Sequence, residues 1–266
     1  MKKISRNLSK AIKASLEAGK KILEVYESEN FELEFKNDES PLTKADLMSN
    51  EVILSILKTN SSTPVLSEEG SISDFSIRKN WKKLWIIDPL DGTKEFVKRN
   101  GEFTVNIALV ENQIPVLGVI FVPVSGDLFF SEKNIGSFKI NLNRFSSDPD
   151  KLLENANKLP IYIDNQTYTI VSSRSHMSKE TEQFISEKKK EHGAVNLISS
   201  GSSLKLCMVA EGKANCYPRY APTMEWDTAA GHAICLYAGF NVKDYITKKS
   251  MLYNRENLLN NWFIVE

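Results

Sequence analysis

The chain has 266 residues, with 34 Lys and Arg against 34 Asp and Glu, so its formal net charge is zero. A neutral chain has no general electrostatic attraction to a nucleic-acid polymer or to an anionic membrane, and a nucleic-acid polymer is not expected as a partner. Charged residues make up 26% and hydrophobic residues 41%, which is typical of a folded globular protein and argues against bulk disorder.

Cysteine usage and hydropathy indicate where the protein works. Cys207, Cys216 and Cys235 are an odd number at wide spacing, which matches neither a disulfide framework nor a zinc site and fits a reducing compartment. The N-terminus lacks the apolar block of a signal peptide. No window has the roughly 18 apolar residues that a spanning helix needs. We therefore expect a cytoplasmic protein without a transmembrane segment, with peripheral association with the inner membrane as the alternative.

The first half of the chain predicts two helices and a series of strands. Apolar residues recur at helical spacing from Ile4 to Tyr26, which indicates a long amphipathic helix, and a second helix is expected from Thr43. The predicted strands cover residues 31–36, 64–67, 85–87, 103–110, 115–122 and 128–131. The strand at 85–87 is apolar throughout, so it is expected to be buried on both faces. The last three strands are separated by short turns and predict an antiparallel meander.

The second half begins where the composition becomes polar, at residues 141–165. We place a boundary there, between an N-terminal α+β domain (1–140) and a C-terminal α/β domain (141–266). Further strands are predicted at 168–172, 195–199, 215–217 and 262–265, and helices at 179–191, 202–211 and 224–237. Helices alternating with strands, next to an antiparallel meander, indicate an α/β (α+β) fold.

Two carboxylates follow the buried strand in the segment 88–93, DPLDGT. The proline keeps Asp88 extended, and Gly92-Thr93 opens a helix whose free N–H groups lie beside Asp88 and Asp91. This arrangement suits a hard divalent cation that bridges to a phosphate. The alternative is an ordinary aspartate cap after a buried strand.

Two other acidic groups lie at element ends. Glu68 and Glu69 follow a short apolar strand, and Asp227 opens a helix of small residues. Taken singly, the first pair fits a solvated turn and Asp227 fits a helix cap. The three clusters could instead converge on one site, whose all-oxygen ligands would favour Mg²⁺ or Mn²⁺ over zinc.

These three motifs resemble, in order and spacing, the signatures of the inositol monophosphatase superfamily of Mg²⁺-dependent, lithium-sensitive phosphatases. Within that superfamily the chain is similar to the CysQ-type 3'(2'),5'-bisphosphate nucleotidases over roughly residues 10–240. The segments that carry this closer similarity are 88–96, 171–176, 201–205, 211–214 and 217–220. The resemblance implies a layered αβαβα sandwich of the sugar-phosphatase type, with the active site between its two parts.

The resemblance also implies the metal site and the catalytic groups. Two or three Mg²⁺ ions, for which Mn²⁺ could substitute, would be held by Glu68, Asp88, Asp91, Asp227 and the Leu90 carbonyl. Thr93 would orient the attacking water with Asp46 as its partner, and Glu69 would lie near that water.

Substrate contacts are implied for residues of both halves. The four metal-binding carboxylates would face the scissile phosphate, and the N–H groups of Gly92 and Thr93 would cradle it. His176 would lie beside the nucleotide, and Ser202 and Lys205 would contact its second phosphate or ribose. Arg219 would pair with the 5'-phosphate, which its bidentate guanidinium suits. Without the resemblance, Lys205 and Arg219 could equally be surface charges.

The reaction that the resemblance implies is removal of the 3'-phosphate from adenosine 3',5'-bisphosphate, giving AMP and phosphate. Bound cations would neutralise the phosphate and activate the attacking water. The 3'-phosphoadenosine 5'-phosphosulfate is a possible second substrate, and the role in sulfur metabolism would be to clear a by-product of sulfotransfer. The alternatives are an inositol or other sugar phosphatase, a non-catalytic nucleotide-binding sensor on the same fold, and a purely structural protein. The expected partner is a small nucleotide, and a homodimer is possible.

Overall fold

The computed structural model describes residues 3–28, 34–35, 41–144, 146, 148–162, 167–173 and 178–266. Its helices are α1 (Arg6–Tyr26), α2 (Lys44–Lys58), α3 (Phe75–Arg78), α4 (Thr93–Val97), α5 (Pro149–Asn155), α6 (Lys179–His192), α7 (Leu204–Glu211) and α8 (Glu225–Ala238). Its strands are β1 (Glu34–Phe35), β2 (Pro41–Leu42), β3 (Val65–Ser67), β4 (Lys83–Asp91), β5 (Thr104–Glu111), β6 (Ile114–Val122), β7 (Asp127–Glu132), β8 (Gly136–Asn141), β9 (Asn157–Lys158), β10 (Tyr168–Ser173), β11 (Val195–Ser200), β12 (Tyr217–Arg219), β13 (Val242–Asp244) and β14 (Phe263–Val265). Over these ranges, no helix combines the length and the apolar character needed to cross a membrane.

A twisted sheet of seven strands in the order β3-β4-β5-β6-β7-β8-β9 forms the centre of the described structure. Only the β3–β4 pair is parallel, and every later neighbour in this sheet is antiparallel. The predicted meander is therefore confirmed as β5, β6 and β7. Strands β8 and β9 extend it and were not predicted.

Alternate side chains of the sheet face two different cores. On one face, Trp85 and Ile87 of β4 join a cluster with residues of α1 and α2, such as Leu8 and Ile53. On the other face, Ile86 joins a cluster with residues of α8. Because both faces are covered by helices, the core of β4 is buried throughout, as predicted from its apolar sequence.

Glycines allow the helices to approach this sheet closely. A Cβ on Gly118 of β6 would overlap the Ala230 carbonyl oxygen of α8. On the opposite face, a Cβ on Gly19 of α1 would overlap the Phe121 ring. A side chain at Gly118 would force α8 away from the sheet, and one at Gly19 would have to displace the Phe121 ring.

The remaining layers lie beyond α7 and α8. Those helices share a core with Tyr217, Val242 and Phe263 of the three-stranded sheet β12-β14-β13. The parallel pair β10–β11 adjoins this sheet through a bridge between Ile170 and Cys216, and α6 covers that side. The order of layers is helices, sheet, helices, sheets, helix, which confirms the predicted αβαβα fold class.

Most predicted elements are confirmed, with shifts of a few residues at their ends. Helix α1 begins after Ser5, whose Oγ accepts a hydrogen bond from the Leu8 N–H at 3.1 Å. The strand predicted at 31–36 falls mostly outside the described residues, which include only 34–35 of it. Strand β9 pairs with β8, so the N-terminal sheet takes in residues beyond 140. The division at 140/141 stays a prediction.

Candidate active site

The end of β4 contains an irregularity that brings two carboxylates to one cavity. Asp88 pairs with Asn106 of β5 and Asp91 pairs with Thr104, with a register shift between the two pairs. Pro89 lies within this bulge, where its missing N–H costs no ladder hydrogen bond. The Leu90 N–H donates to Asp88 Oδ1 at 3.1 Å. Both aspartates line a cavity of about 470 Å³.

Three carboxylates from different parts of the chain meet there. One ligand oxygen each of Glu68, Asp88 and Asp227 lies within 4.8 Å of the other two. Glu68 follows β3 and Asp88 is near the end of β4, and parallel neighbours end at the same edge of a sheet. Asp227 comes from the first turn of α8. Asp91 and Leu90 line the same cavity. The five predicted metal-ligating residues are therefore brought together.

The acidic cluster has perturbed pKa values. Burial, and then the charges of Glu68, Asp91 and Asp227, raise the pKa of Asp88 well above its ordinary value. Burial raises the pKa of Asp227 to about 8, with the charge of Asp91 adding to the effect. Burial raises the pKa of Asp91 to about 6, against the opposing charge of Lys205. Such a group of oxygens needs protons or a cation, and its donor chemistry fits a hard divalent ion.

Asp46 and Thr93 form the predicted pair beside this cluster. Thr93 Oγ1 donates to Asp46 Oδ1 at 3.2 Å and lies 3.4 Å from the Leu90 carbonyl oxygen. The other carboxylate oxygen of Asp46, Oδ2, accepts from the N–H and the hydroxyl of Thr43 at 2.8 and 2.5 Å. Asp46 therefore caps α2 with one oxygen and orients Thr93 with the other.

Asp227 caps its helix in the same way. Its Oδ2 accepts from the Met224 N–H at 2.8 Å. Next to it, Glu225 is fully buried and accepts from the Asn254 N–H and from the N–H and Nε of Arg255, at 2.6, 3.0 and 3.1 Å. These contacts fix the first turn of α8. Sequence reasoning missed Glu225, since a glutamate at the start of a helix gives no sign of being buried.

The predicted catalytic residue Glu69 lies in the turn after β3. The Ser67 hydroxyl lies 3.3 Å from the Glu69 N–H and donates to Asn50 Oδ1 at 2.7 Å, while the Asn50 amide donates to the Glu69 carbonyl at 3.3 Å. Asn50 of α2 thus holds the turn that carries Glu68. A role for the Glu69 side chain near the water stays a prediction.

A second cavity of about 150 Å³ adjoins the acidic one and shares Asp91, Gly92 and Asp227 with it. The predicted substrate residues Ser202, Lys205 and Arg219 line it, together with Tyr217 and Phe263 among others. Lys205 is only 6% exposed, so the alternative of a surface charge is wrong for it. Arg219 Nε is buried without a hydrogen-bond partner among the described residues. His176 lies outside the described residues.

Two further residues hold Asp91 and were not predicted. Ser203 N–H and the Asn106 amide both donate to Asp91 Oδ2, at 2.6 and 3.2 Å. Asn106 could have been found, because it is a buried polar residue in the otherwise apolar β5. Ser203 could not, since its contact with Asp91 crosses between the two halves of the chain.

The layered fold, with a carboxylate cluster and an Asp–Thr pair at the ends of its strands and helices, is the architecture that the motifs predicted for a metal-dependent phosphatase. The model of the inositol monophosphatase family matches residues 5–264, so the chain belongs to that family.

Two curated relatives and one solved structure extend the comparison. The chain is 41% identical to the 3'(2'),5'-bisphosphate nucleotidase CysQ of Salmonella typhimurium, over 93% of this chain and 94% of the relative. It is 40% identical to that of Escherichia coli strain K12, with the same coverage. The crystal structure of CysQ from Bacteroides thetaiotaomicron is 51% identical, with a TM-score of 0.89, over 98% of this chain and 96% of that one. The predicted resemblance to CysQ-type nucleotidases is thereby confirmed.

Proposed function

We propose that the protein hydrolyses the 3'-phosphate of adenosine 3',5'-bisphosphate to AMP and phosphate, with Mg²⁺ as cofactor. The CysQ relatives support 3'(2'),5'-bisphosphate nucleotidase as the enzyme class. The observation that carries the proposal is that an acidic cavity adjoins a second cavity, which holds Lys205 and Arg219, through shared residues that include Asp91, Gly92 and Asp227. A substrate with one phosphate at each end of a ribose matches both cavities.

The acidic cavity would hold the cations. Glu68, Asp88, Asp91, Asp227 and the Leu90 carbonyl would bind two or three Mg²⁺ ions, for which Mn²⁺ could substitute. When bound, such ions supply charge neutralisation for a phosphomonoester and a lower pKa for water. The protein then has little covalent chemistry to perform, so a serine or cysteine nucleophile is not required.

The chain's own part in the reaction is to place water and phosphate. Because the Thr93 hydroxyl donates its proton to Asp46 Oδ1, its lone pairs are left to accept a hydrogen bond from water. The Thr93–Asp46 pair would thus hold that water and favour loss of its proton. Gly92 (φ +92°) precedes α4, and its N–H and that of Thr93 would face the scissile phosphate.

The second cavity would select the substrate. Lys205 and Arg219 bring two positive charges to it, which suit a phosphate distant from the scissile one. A monophosphorylated polyol lacks that group, and this argues against inositol phosphate as the preferred substrate. The proposal also includes contacts of Ser202 and His176 with the nucleotide and 3'-phosphoadenosine 5'-phosphosulfate as a second substrate. It further includes sensitivity to lithium and a cytoplasmic role in sulfur metabolism.

Phosphate release with Mg²⁺ tests the proposal, with adenosine 3',5'-bisphosphate and inositol 1-phosphate measured side by side. We expect a kcat/KM preference of about 100-fold for the bisphosphate, equivalent to about 2.7 kcal/mol. The matched control is Glu68→Gln, which keeps the size of the side chain and should abolish release of phosphate. A preference for inositol phosphate would favour the sugar-phosphatase alternative, and no release from either compound would favour the sensor.

A further inference from the structure

Lys205 occupies a position that is unfavourable for a cation. It is the second residue of α7, and the N-terminal turn of a helix disfavours positive charge. Its side chain is almost completely buried, and burial lowers the pKa of Lys205 to about 8. A buried ammonium group is tolerated only where acceptors surround it, so its partners indicate what it does.

Those partners are backbone carbonyls of the chain itself, although the side chain also lines the second cavity. Lys205 Nζ donates to the Ser202 carbonyl oxygen at 2.5 Å and to the Ser200 carbonyl oxygen at 3.2 Å. An ammonium group has three donors, so two are occupied within the chain. Both acceptors belong to residues 200–203, which run from the last residue of β11 to the residue before α7 and are called the 200–203 turn below.

The 200–203 turn needs such support. Ser202 has φ +46°, a left-handed conformation that is strained for a residue other than glycine. Two other contacts hold the turn against the N-terminal half of the chain. The Gly201 N–H donates to Glu102 Oε2 at 2.7 Å, and Ser202 Oγ lies 2.6 Å from the Glu102 carbonyl oxygen.

The same turn holds Asp91. The Ser203 N–H donates to Asp91 Oδ2 at 2.6 Å, and Ser202 Oγ lies 2.9 Å from the Asp91 carbonyl oxygen. These contacts fix both the carboxylate and the backbone of Asp91. Each depends on the conformation that Lys205 supports from the other side of the turn.

We propose that Lys205 is a positioning residue for Asp91, acting through the 200–203 turn, so that it contributes to cation binding in addition to its proposed contact with the substrate. The proposal rests on the proposed function in taking Asp91 as a metal ligand. Removing a group that orients a metal ligand typically weakens metal binding or activity 10- to 100-fold. We therefore expect Lys205 substitutions to weaken cation binding even without nucleotide.

Lys205→Met tests this, with Arg219→Met as the matched control. Both variants remove a cation from the same cavity, but the Arg219 contact that the structure defines is to the Pro222 carbonyl, away from the turn. Titration with Mn²⁺, followed by the EPR signal of the free ion and without nucleotide, gives the dissociation constant. We expect about a 10-fold rise or more for Lys205→Met and no rise for Arg219→Met, because the positive charge of Arg219 beside Asp227 does not favour cation binding.

Turnover provides a second readout. With adenosine 3',5'-bisphosphate and adenosine 3'-monophosphate as substrates, Lys205→Met should lower kcat/KM for both, with partial recovery at high Mg²⁺. Arg219→Met should raise KM mainly for the bisphosphate. Unchanged Mn²⁺ affinity in Lys205→Met, with a loss confined to the bisphosphate, would overturn the proposal and leave Lys205 as a substrate ligand alone.

The Mn²⁺ titration separates this proposal from the proposed function. If the wild-type protein binds Mn²⁺ but hydrolyses neither nucleotide, the function fails while the comparison of affinities still tests the role of Lys205. If Lys205→Met does not fold, Ser202→Ala takes its place, because it removes the hydroxyl contacts of the turn and keeps the charge of the cavity. Wild-type Mn²⁺ affinity in Ser202→Ala would then count against the turn as the link to Asp91.

Discussion

Replacing Asp46 with asparagine should separate catalysis from folding. The Asp46 carboxylate takes hydrogen bonds on both oxygens: two from Thr43 on Oδ2 and one from Thr93 on Oδ1. Asparagine offers one acceptor oxygen and one NH₂ group. Turning the NH₂ toward Thr43 would oppose two donors and cost the cap, about 0.5–2 kcal/mol. The amide oxygen should therefore face Thr43 and leave the NH₂ toward Thr93.

In that arrangement Thr93 accepts a hydrogen bond from the NH₂ of the substituted side chain, so its own proton points elsewhere and it no longer holds water as an acceptor. Loss of a general-base arrangement typically lowers the rate 10²- to 10⁴-fold, or about 3–5 kcal/mol of activation free energy. The cap is kept, so we expect the free energy of unfolding to fall by less than about 1 kcal/mol. The measurements are kcat for phosphate release at saturating Mg²⁺ and thermal melting with and without Mg²⁺.

Two further variants make this prediction specific. Thr93→Val, alone or combined with Asp46→Asn, should lose about as much activity as either single change, because groups that act as a unit are not additive. Thr43→Ala removes a bond to Asp46 but not the pair, so it should lower stability by about 1 kcal/mol and leave kcat largely intact. More than a tenth of wild-type kcat in Asp46→Asn, or losses that add in the double variant, would refute the reasoning.

Three other predictions follow from the contacts of the site. Burial raises the pKa of Asp227 to about 8, above its value in the unfolded chain, so its contribution to stability is present at low pH and is lost as the pH rises through about 8. Thermal melting in chelator from pH 5 to 9 should therefore show a weaker decline of the melting temperature for Asp227→Asn than for the wild type. Mg²⁺ should raise the melting temperature of the wild type most at high pH. Gly92→Ala should destabilise the fold by at least about 1–2 kcal/mol, measured by urea unfolding, because Gly92 has φ +92° and a Cβ would overlap Ser202 Oγ. Wild-type stability in this variant would show that Gly92 and Ser202 are not in close contact. Glu225→Ala should lower the free energy of unfolding by about 3–5 kcal/mol, since it leaves Arg255 and two N–H groups without their buried acceptor. A loss below about 1 kcal/mol would mean that water replaces the carboxylate.

The layout of the core could be predicted because its signals are local. The apolar run of β4 and the helical spacing of apolar residues in α1 each appear within one segment of the chain, and these apolar residues are buried as expected. Strand β8 was missed because its local signal is weak. Phe138 and Ile140 alternate with Lys139 and pack against the core, but three residues are too short a run to stand out. Lys139 is held by ion pairs with Asp127 and Glu211, which the local sequence does not show.

The residues of the candidate site also differ in whether the local sequence identifies them. Its carboxylates could be predicted because each lies at the end of a recognisable strand or helix. The groups that orient them could not, because they reach across the chain: the contact between Asp91 and Ser203 joins residues 112 positions apart. The burial of Lys205 likewise depends on how β11 and α7 meet, and a lysine in a Ser-Ser-Leu-Lys segment has no local sign of being enclosed.

Two of the acidic residues, Asp46 and Asp227, serve as helix caps as well as candidate functional groups. Asp46 and Asp227 are each the third residue of a helix, and each uses Oδ2 to cap the residue before the first turn. The cap fixes the side chain, so less conformational entropy remains to be lost when the other oxygen engages Thr93 or a cation. The helix terminus also favours negative charge, which offsets part of the repulsion within the acidic cluster. A capping aspartate is therefore a suitable place for a ligand, and the two explanations should not be weighed against each other.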